Sequence, residues 1–419
     1  MRTPETRVLK KEKIMKKVLI FTITAGSAHN SAAAAVKSEL EKRGAEVKCI
    51  DVLHEFCDDK LFIWFQEAGY GFACRYLYRI YNAFWRHYQH ADPEKYYKSP
   101  VQKGLLKLYG KVLKAINDFQ PDAIYVSHFI PAVMITNLRR LYPVPAKTFG
   151  FISDYVICPF WEAARGTDCM LIPDESFADQ MRSKGFVNTR LLPYGLTVNE
   201  KFSESADKAE ARAKLGLKED IFTVFVMYGG GFWSGNPRIV KNIVRNLGNR
   251  PLQIIVANGI DKKGMRKIDA MKLPDNITLQ NYAFSNEIDV FMSAADVIVG
   301  KAGGASTTES LNKILPMLCY KNLPEQEVYN VRMLVKEGAA KQYKSGREMA
   351  EILTYLMDNL AELEKMRENI KRIRRPHATA RLADEIMECE AVYGDVGVDY
   401  TKVNSSIRKM LKKTKYETR

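Results

Sequence analysis

The stretch DVIVGKAGGASTTES, residues 296–310, is the part of the sequence that decides the fold class. After Asp296, its first residues form a short apolar run to position 300, of the length expected for a buried β-strand. The run leads into Gly303 and Gly304 and then into a polar segment that is typical of a helix start. A strand, a glycine turn and a helix in this order predict a parallel sheet covered by helices.

The same loop has the chemistry of an anion site. The free N–H groups at a helix start, together with the helix dipole, favour a diphosphate ligand. Ser306 and Thr307 are candidates to cap the helix or to bond a phosphate oxygen, and Glu309 is a candidate to bind ribose hydroxyls. The sequence leaves a second interpretation open, in which the loop is a tight turn with an ordinary helix cap.

Outward from this loop, strand and helix patterns alternate along most of the chain, which predicts an α/β protein. A polar, charged segment at 199–219 interrupts the alternation and indicates a linker between two domains. A second glycine run follows the predicted strand 221–228 and allows close backbone approach to a ligand; it contains Gly229, Gly230 and Gly231. The predicted strands are 18–24, 46–53, 122–129, 147–154, 169–176, 189–196, 221–228, 251–258, 276–283, 296–303 and 316–322.

The composition excludes several classes of protein. Of the 419 residues 46% are apolar and 27% are charged, which is ordinary for a folded chain and excludes a disordered one. No apolar stretch approaches the ~18 residues of a spanning helix. The seven cysteines form no Cys-x-x-Cys pair and the six histidines show no metal-ligand spacing, so we predict a reduced compartment and no metal centre.

The net charge of +15 is concentrated in three regions, 1–17, 60–112 and 402–419. The middle region also holds 14 of the 44 aromatic residues. Aromatic and cationic side chains on an amphipathic segment favour an anionic membrane surface. Two alternatives stay open: a helical insertion packed on the sheet with its arginines exposed, or a surface for single-stranded nucleic acid.

Residues 276–330 resemble the nucleotide-sugar half of the family 28 glycosyltransferases. That family includes processive diacylglycerol glucosyltransferases, monogalactosyldiacylglycerol synthases and the peptidoglycan N-acetylglucosaminyl transferase. The resemblance follows the order strand, turn at 281–284, helix, strand, Gly-Gly loop, strand and LPEQEVYN at 323–330. The residues that carry it are Lys301, Gly303, Gly304, Ser306, Glu309, Gln326, Glu327 and Asn330.

The resemblance implies roles in binding the donor. Backbone near Phe284 would hold uracil, Glu309 would bind ribose, and the two glycine loops would hold the diphosphate. Gln326 and Glu327 would bind the sugar hydroxyls, with Asn330 supporting them. Alternatively, Glu327 is an acid at a helix start and Asn330 is a cap.

The family's Gly-x-Gly-His turn is similar to Gly26-Ser-Ala-His29 in this sequence. The resemblance implies that His29 is the general base, since a histidine titrates near neutral pH; the alternative is a histidine that caps its helix. A family strand ending in a Thr/Ser-Asp pair is similar to Ser153-Asp154, so Asp154 would assist or replace His29. His128 and Trp161 also stand at family-like positions.

In relatives the lipid-acceptor region lies in the part of the chain equivalent to 60–112, so the resemblance favours a membrane-facing insertion there. The acceptor or membrane residues it implies are Gly26, Trp64, Phe65, Arg75, Arg79, Trp85, Arg86, His128 and Trp161.

The implied fold is GT-B, with two facing Rossmann-like domains and a C-terminal helix that crosses back to the first. The expected division is a basic extension at 1–17, an acceptor domain at 18–198 with its insertion at 60–112, a linker at 199–219, a nucleotide-sugar domain at 220–375, the crossing helix at 376–395 and a basic tail at 396–419.

The expected activity is inverting, metal-independent transfer of glucose or galactose from a UDP-sugar to diacylglycerol or glycosyl-diacylglycerol. We expect a peripheral protein on the cytoplasmic face of the cell membrane, with anionic lipid as partner, no cofactor and no nucleic acid. Two alternatives stay open: another lipid-linked acceptor such as a polyprenyl carrier, or a non-catalytic membrane adaptor with a degenerate nucleotide pocket.

Overall fold

Two parallel sheets lie at the centre of the computed structural model, which describes residues 15–24, 27–64, 69, 72, 76–89, 105–228, 235–321 and 324–390. The first sheet has the order β2-β1-β3-β4-β5-β6 and the second the order β12-β11-β10-β7-β8-β9. All strand pairs are parallel, as the alternation of strands and helices predicts. The strands are β1 Lys17–Thr22, β2 Glu46–Asp51, β3 Ala123–Val126, β4 Lys147–Phe151, β5 Cys169–Leu171, β6 Arg190–Leu192, β7 Thr223–Met227, β8 Leu252–Ala257, β9 Ile277–Tyr282, β10 Val297–Gly300, β11 Met317–Tyr320 and β12 Ala340–Tyr343.

Helices cover both faces of each sheet, which explains the apolar runs of the strands. In β1, Val18 and Ile20 belong to one core cluster, and Leu19 and Phe21 belong to the other. The helices are α1 Ser27–Lys42, α2 Val52–Phe56, α3 Lys60–Trp64, α4 Tyr78–Gln89, α5 Tyr109–Phe119, α6 Phe129–Arg139, α7 Phe177–Ser183, α8 Lys208–Lys214, α9 Asn236–Leu247, α10 Lys262–Asp269, α11 Ile288–Ala294, α12 Gly304–Asn312, α13 Glu325–Lys336, α14 Gly346–Asp358, α15 Leu360–Ile373 and α16 Ala378–Glu388, with 3-10 turns at Leu106–Leu108, Pro159–Ala164 and Glu200–Phe202.

The edge strand β12 was not predicted from the sequence. Its sequence AKQY has only two buried residues, at its ends. An edge strand needs less apolar surface than a central one, so its hydrophobic pattern is weak.

The last helix, α16, packs against α1 of the first domain. Arg43 forms an ion pair with Asp384 at 2.8 Å, and Leu382 and Ile386 are buried in the first domain's core cluster. The segment before α16 passes close to Gly195 of the first domain, since a Cβ added at Gly195 would lie 2.6 Å from the Cβ of Arg375. Gly195 has a φ of +105°, which also favours glycine. Two Rossmann-like domains and a helix that crosses back are therefore confirmed. None of the helices in the described ranges is long and apolar enough to span a bilayer.

Candidate active site between the two domains

The two domains meet through Asn330, which lies in the second turn of α13. Its Nδ2 donates to Oδ1 of Asp154 and to the carbonyl of Ala302, each at 2.8 Å. Its Oδ1 accepts from the backbone N–H of Tyr155 at 2.8 Å, and the side chain is fully buried. The interpretation of Asn330 as a helix cap is wrong, because the residue lies inside the helix. Its amide joins the Ser-Asp turn of the acceptor domain to the loop after β10.

His29 lies in the first turn of α1 and faces this junction. Its Nδ1 is 2.5 Å from the carbonyl oxygen of Ser127, and its ring centroid is 4.6 Å from that of His128. Desolvation lowers the pKa of His29 below 6.5, while the bond to Ser127 and the charge of Asp154 oppose that shift. The imidazole is therefore neutral at pH 7, the form in which one ring nitrogen is free to accept a proton.

A chain of hydrogen bonds, which the sequence analysis missed, fixes the turn that holds this histidine. The N–H and hydroxyl of Thr24 both donate to Oδ2 of Asp51, at 2.9 and 2.5 Å. Asn30 donates to Thr24 and accepts from Thr22, each at 2.7 Å. The Ser127 hydroxyl donates to Thr22 at 2.8 Å. Polar residues at the carboxyl ends of the predicted strands β1 and β2 were the available signal.

His128 and Trp161 take structural positions. The Nδ1 of His128 accepts from the N–H of Ile130 at 3.1 Å and caps α6. Burial, with the neighbouring His29, holds the pKa of His128 well below its usual range. Trp161 is 3% exposed, and its ring would lie 3.2 Å from a Cβ on Gly150. The prediction of an acceptor-facing Trp161 is corrected, because its indole fills the core of the first domain.

On the donor side, α12 begins at Gly304 with Gly303 as its N-cap and without a side-chain cap. Ser306 and Thr307 lie inside the first turn, so the prediction that either of them caps the helix is wrong. The hydroxyl of Thr307 is buried and has no hydrogen-bond partner. Uncapped first-turn N–H groups are the feature that favours an anion at a helix start.

The two adjacent glycines differ in their surroundings. A Cβ on Gly303 would meet nothing within 4 Å, whereas a Cβ on Gly304 would lie 1.7 Å from the carbonyl oxygen of Ser153. Gly304 therefore permits contact between the domains, and Gly303 borders open space.

Lys301 and Glu327 form an ion pair of 2.8 Å beside this loop. Glu327 is 8% exposed, and its Oε2 has no hydrogen-bond partner. Desolvation raises the pKa of Glu327, while the charge of Lys301 opposes that shift. An unpaired buried acceptor costs about 1–3 kcal/mol, so a ligand hydroxyl that donates to this oxygen would recover free energy. The neighbouring Gln326 accepts a hydrogen bond from the Tyr81 hydroxyl at 3.1 Å.

Glu309 and Phe284 are the residues predicted to bind the nucleoside. Glu309 is in the second turn of α12, and burial raises its pKa to about 7, with Lys201 opposing and Asp289 adding to the shift. Phe284 follows β9 and is 73% exposed. Three predicted donor-loop residues lie outside the described residues: Gly229, Gly230 and Gly231. Three residues of the predicted acceptor set also lie outside them: Gly26, Phe65 and Arg75.

The aromatic insertion has two kinds of surface. Half of the fourteen large exposed hydrophobic side chains in the described ranges belong to it: Leu61, Trp64, Phe72, Tyr76, Leu77, Ile80 and Phe84. Arg79 and Arg86 are also exposed. Trp85 is 4% exposed and faces inward, so the prediction that it meets a membrane is corrected; its indole N–H has no hydrogen-bond partner.

Relatives of known activity match both halves of the chain. The monogalactosyldiacylglycerol (MGDG) synthase family model matches residues 29–198, and the glycosyltransferase family 28 C-terminal domain model matches residues 223–386. Monogalactosyldiacylglycerol synthase 1 of Arabidopsis thaliana is 25% identical over 392 residues, which cover 89% of this chain and 71% of the relative. The processive diacylglycerol beta-glucosyltransferase of Bacillus pumilus is 22% identical over 381 residues, which cover 89% of this chain and 95% of the relative.

Solved structures share the fold. MurG of Acinetobacter baumannii superposes with a TM-score of 0.59 at 15% identity, over 89% of this chain and 100% of that one. The calicheamicin glycosyltransferase CalG4 superposes with a TM-score of 0.57 at 12% identity, over 89% of this chain and 97% of that one. These likenesses confirm the GT-B architecture. The two family matches span about four fifths of the 419 residues, and the chain therefore belongs to glycosyltransferase family 28, with a first domain of the MGDG synthase type.

Proposed function

We propose that this protein transfers glucose or galactose from a UDP-sugar to diacylglycerol or glycosyl-diacylglycerol. One observation carries the proposal: His29 and the uncapped start of α12 lie on opposite sides of one junction, which Asn330 and Asp154 close. A base on one side and an anion site on the other are the two parts that a glycosyl transfer needs. The acceptor is proposed from the names of the relatives.

His29 acts as the base through its Nε2. A carbonyl oxygen only accepts hydrogen bonds, so the 2.5 Å contact with Ser127 assigns the ring proton to Nδ1. Nε2 then carries the lone pair, and it takes the proton of the acceptor hydroxyl. The charge of Asp154 stabilises the imidazolium that forms, since that charge raises the histidine pKa.

The leaving group departs toward α12. The acceptor oxygen forms a bond to the anomeric carbon while the bond from that carbon to the β-phosphate oxygen breaks. The electron pair leaves with UDP, and its negative charge is stabilised by the first-turn N–H groups of α12 and by Lys301. We propose that these donors replace a metal ion, and that a single displacement converts an α-linked donor into a β-glycoside.

The sugar is held at the start of α13. The unpaired Oε2 of Glu327 accepts from a sugar hydroxyl, and Gln326 binds a second one. Glu309 binds the ribose, and the exposed ring of Phe284 lies beside the base.

We also propose a peripheral position on an anionic membrane surface, on its cytoplasmic side. The exposed apolar side chains of the insertion bury in the interface while Arg79 and Arg86 reach lipid phosphates.

The test is incubation of the full chain with radiolabelled UDP-glucose or UDP-galactose and anionic vesicles. One set of vesicles contains diacylglycerol, a second contains a polyprenyl phosphate, and a third contains neither. We expect labelled lipid only with diacylglycerol, unchanged by EDTA, and a β-anomer in the NMR spectrum of the product. Label on the polyprenyl carrier would replace the proposed acceptor, an α-anomer would exclude inversion, and absence of product in every arm would leave the adaptor interpretation.

A further inference from the structure

The insertion of the first domain contacts the donor side directly. The backbone N–H of Glu325, the first residue of α13, donates to Oδ1 of Asn82 in α4 at 2.8 Å. A second hydrogen bond joins the residue before Asn82 to the residue after Glu325: the Tyr81 hydroxyl donates to Oε1 of Gln326 at 3.1 Å. Two consecutive residues of α4 therefore bind two consecutive residues of α13.

These contacts replace a missing cap. The first N–H groups of a helix have no partner inside the helix, and a side-chain oxygen usually accepts from one of them. The N-cap residue of α13 is Pro324, which makes no side-chain cap hydrogen bond. Asparagine is among the preferred cap residues, and here it comes from 243 positions earlier in the chain, in the other domain.

The capped turn is the one that carries Gln326 and Glu327. The orientation of both side chains depends on that turn being fully helical, because a frayed first turn moves their Cα atoms. On the opposite side of α4, Leu77, which directly precedes the helix, is exposed together with Ile80 and Phe84, at the spacing i, i+3 and i+7 of one helix face. One helix thus connects the exposed apolar surface to the sugar-binding turn.

We propose that Asn82 is a positioning residue for the donor sugar: it supplies the N-cap of α13 from the acceptor domain, so that the sugar-binding turn is complete only while α4 is docked. The proposal rests on the proposed function, because it assigns the sugar hydroxyls to α13. It predicts that Asn82 affects binding of the hexose and has no effect on binding of the uridine diphosphate part.

The experiment compares Asn82→Ala, Asn82→Asp and wild type by calorimetric titration with UDP-glucose, UDP-galactose and UDP. We expect Asn82→Ala to weaken binding of the preferred UDP-hexose about fivefold, the usual effect of losing a cap, and to leave UDP affinity unchanged. Alanine is a better helix former than asparagine, so α4 itself is not weakened. Asn82→Asp keeps the acceptor oxygen and adds charge at a helix start, so we expect it to restore affinity.

A matched control removes a cap elsewhere in the same domain. Ser345 caps α14 by accepting from the N–H of Glu348 at 3.1 Å, away from the junction. Ser345→Ala should lower stability by a similar amount and leave both affinities unchanged. With vesicle substrate, Asn82→Ala should raise KM for the UDP-hexose about fivefold and leave kcat and the lipid KM within twofold.

Equal affinities of Asn82→Ala and wild type for UDP-hexose would overturn the inference, as would failure of Asn82→Asp to restore binding. An equal loss of UDP affinity would also overturn it, because it would show general damage. These outcomes are distinct from failure of the proposed function, which would appear as wild type that binds neither UDP nor a UDP-hexose.

Discussion

In the part of the chain that the structure describes, the two sheets each contain six parallel strands, but they differ at one edge. Numbered within its own domain, the second sheet has the strand order 3-2-1-4-5-6 of dinucleotide-binding folds, with β9 as the edge strand that leads to Phe284. The first sheet ends at β2, and between β2 and β3 the described residues are helical apart from short connections. Where the donor domain has the edge strand β9 and the turn to Phe284, the acceptor domain has helices with an exposed apolar face.

This difference shows how one architecture provides two kinds of site. The strands place polar groups at their carboxyl ends in both domains: His29 and Asp154 in the first, Lys301 and the α12 start in the second. The exchange of a strand for helices adds apolar surface only on the acceptor side. It also brings Asn82 against α13, where its side-chain oxygen accepts from the first N–H of that helix.

The largest effect on activity is expected in the acceptor domain, from His29→Ala. Loss of a general base lowers kcat about 10²–10⁴-fold. In wild type the rate should fall as the pH drops below 6.5, since the lowered pKa of His29 must be reached before the base is protonated. In Asp154→Asn this fall in rate should occur at a lower pH, because the charge that raises the pKa of His29 is gone. Both effects are measured by steady-state rates between pH 5 and 8, an interval of about three pH units that includes the usual pKa of histidine.

His54→Ala is the control, since His54 is an exposed histidine of the same domain in α2. It should keep wild-type kcat. A His29→Ala protein with more than a tenth of wild-type kcat, an upper bound set by the usual size of base catalysis, would exclude the base assignment.

The next largest effect is expected from Gly304→Ala, whereas the same substitution at the neighbouring Gly303 should leave the fold intact. Gly304→Ala places a Cβ 1.7 Å from the carbonyl oxygen of Ser153, so the domains cannot meet as they do here. We expect loss of most activity and a larger radius of gyration by small-angle X-ray scattering, with UDP binding retained. Gly303→Ala, with φ of −68° and open space around the Cβ, should keep the fold and melting temperature.

The Gly303→Ala protein also tests the ligand. If a diphosphate fills the space beside Gly303, UDP affinity should fall while scattering stays unchanged. Unchanged UDP affinity would place the diphosphate elsewhere. Unchanged scattering and activity of Gly304→Ala would show that the contact with Ser153 is not needed for transfer.

The donor side was more predictable from sequence than the acceptor side, for physical reasons. Strand, glycine turn and helix start are local patterns, and α12 begins where the Gly303 loop indicates. The contact between Asn82 and Glu325 joins residues 243 positions apart, and an asparagine on an amphipathic helix gives no signal of its partner. Trp85 and Trp161 were placed on a surface because aromatic composition does not state which face of a segment is buried. The strand β12 was missed because its middle residues are polar.

A smaller effect concerns the pH dependence of nucleotide binding. The pKa of Glu309 is raised to about 7 by burial, so near neutral pH the carboxyl group is only partly ionised. If its carboxylate accepts from ribose hydroxyls, UDP-hexose affinity should rise severalfold from pH 6 to pH 8, as expected for one linked proton. Glu309→Gln should bind the UDP-hexose with a flat pH profile over this range, because both phosphates of that ligand are esterified. A slope that persists in Glu309→Gln would assign the titration to another group.

The smallest effect tests the acceptor-side surface with two side chains of matched exposure. Ile80 lies on the apolar face of α4 and is 66% exposed, and Val187, outside the insertion, is 65% exposed. If the insertion enters the lipid interface, Ile80→Ser should weaken flotation with anionic vesicles about threefold, since one of several apolar anchors loses its transfer free energy. Val187→Ser removes similar exposed apolar area from a surface that stays in water, so flotation should not change.

Raising the salt concentration should weaken vesicle binding of wild type and of Ile80→Ser by the same factor, because the arginines are untouched. Equal flotation of the two variants would show that the apolar face of α4 stays out of the lipid, and the difference between the two sheet edges would then serve only the contact between α4 and α13.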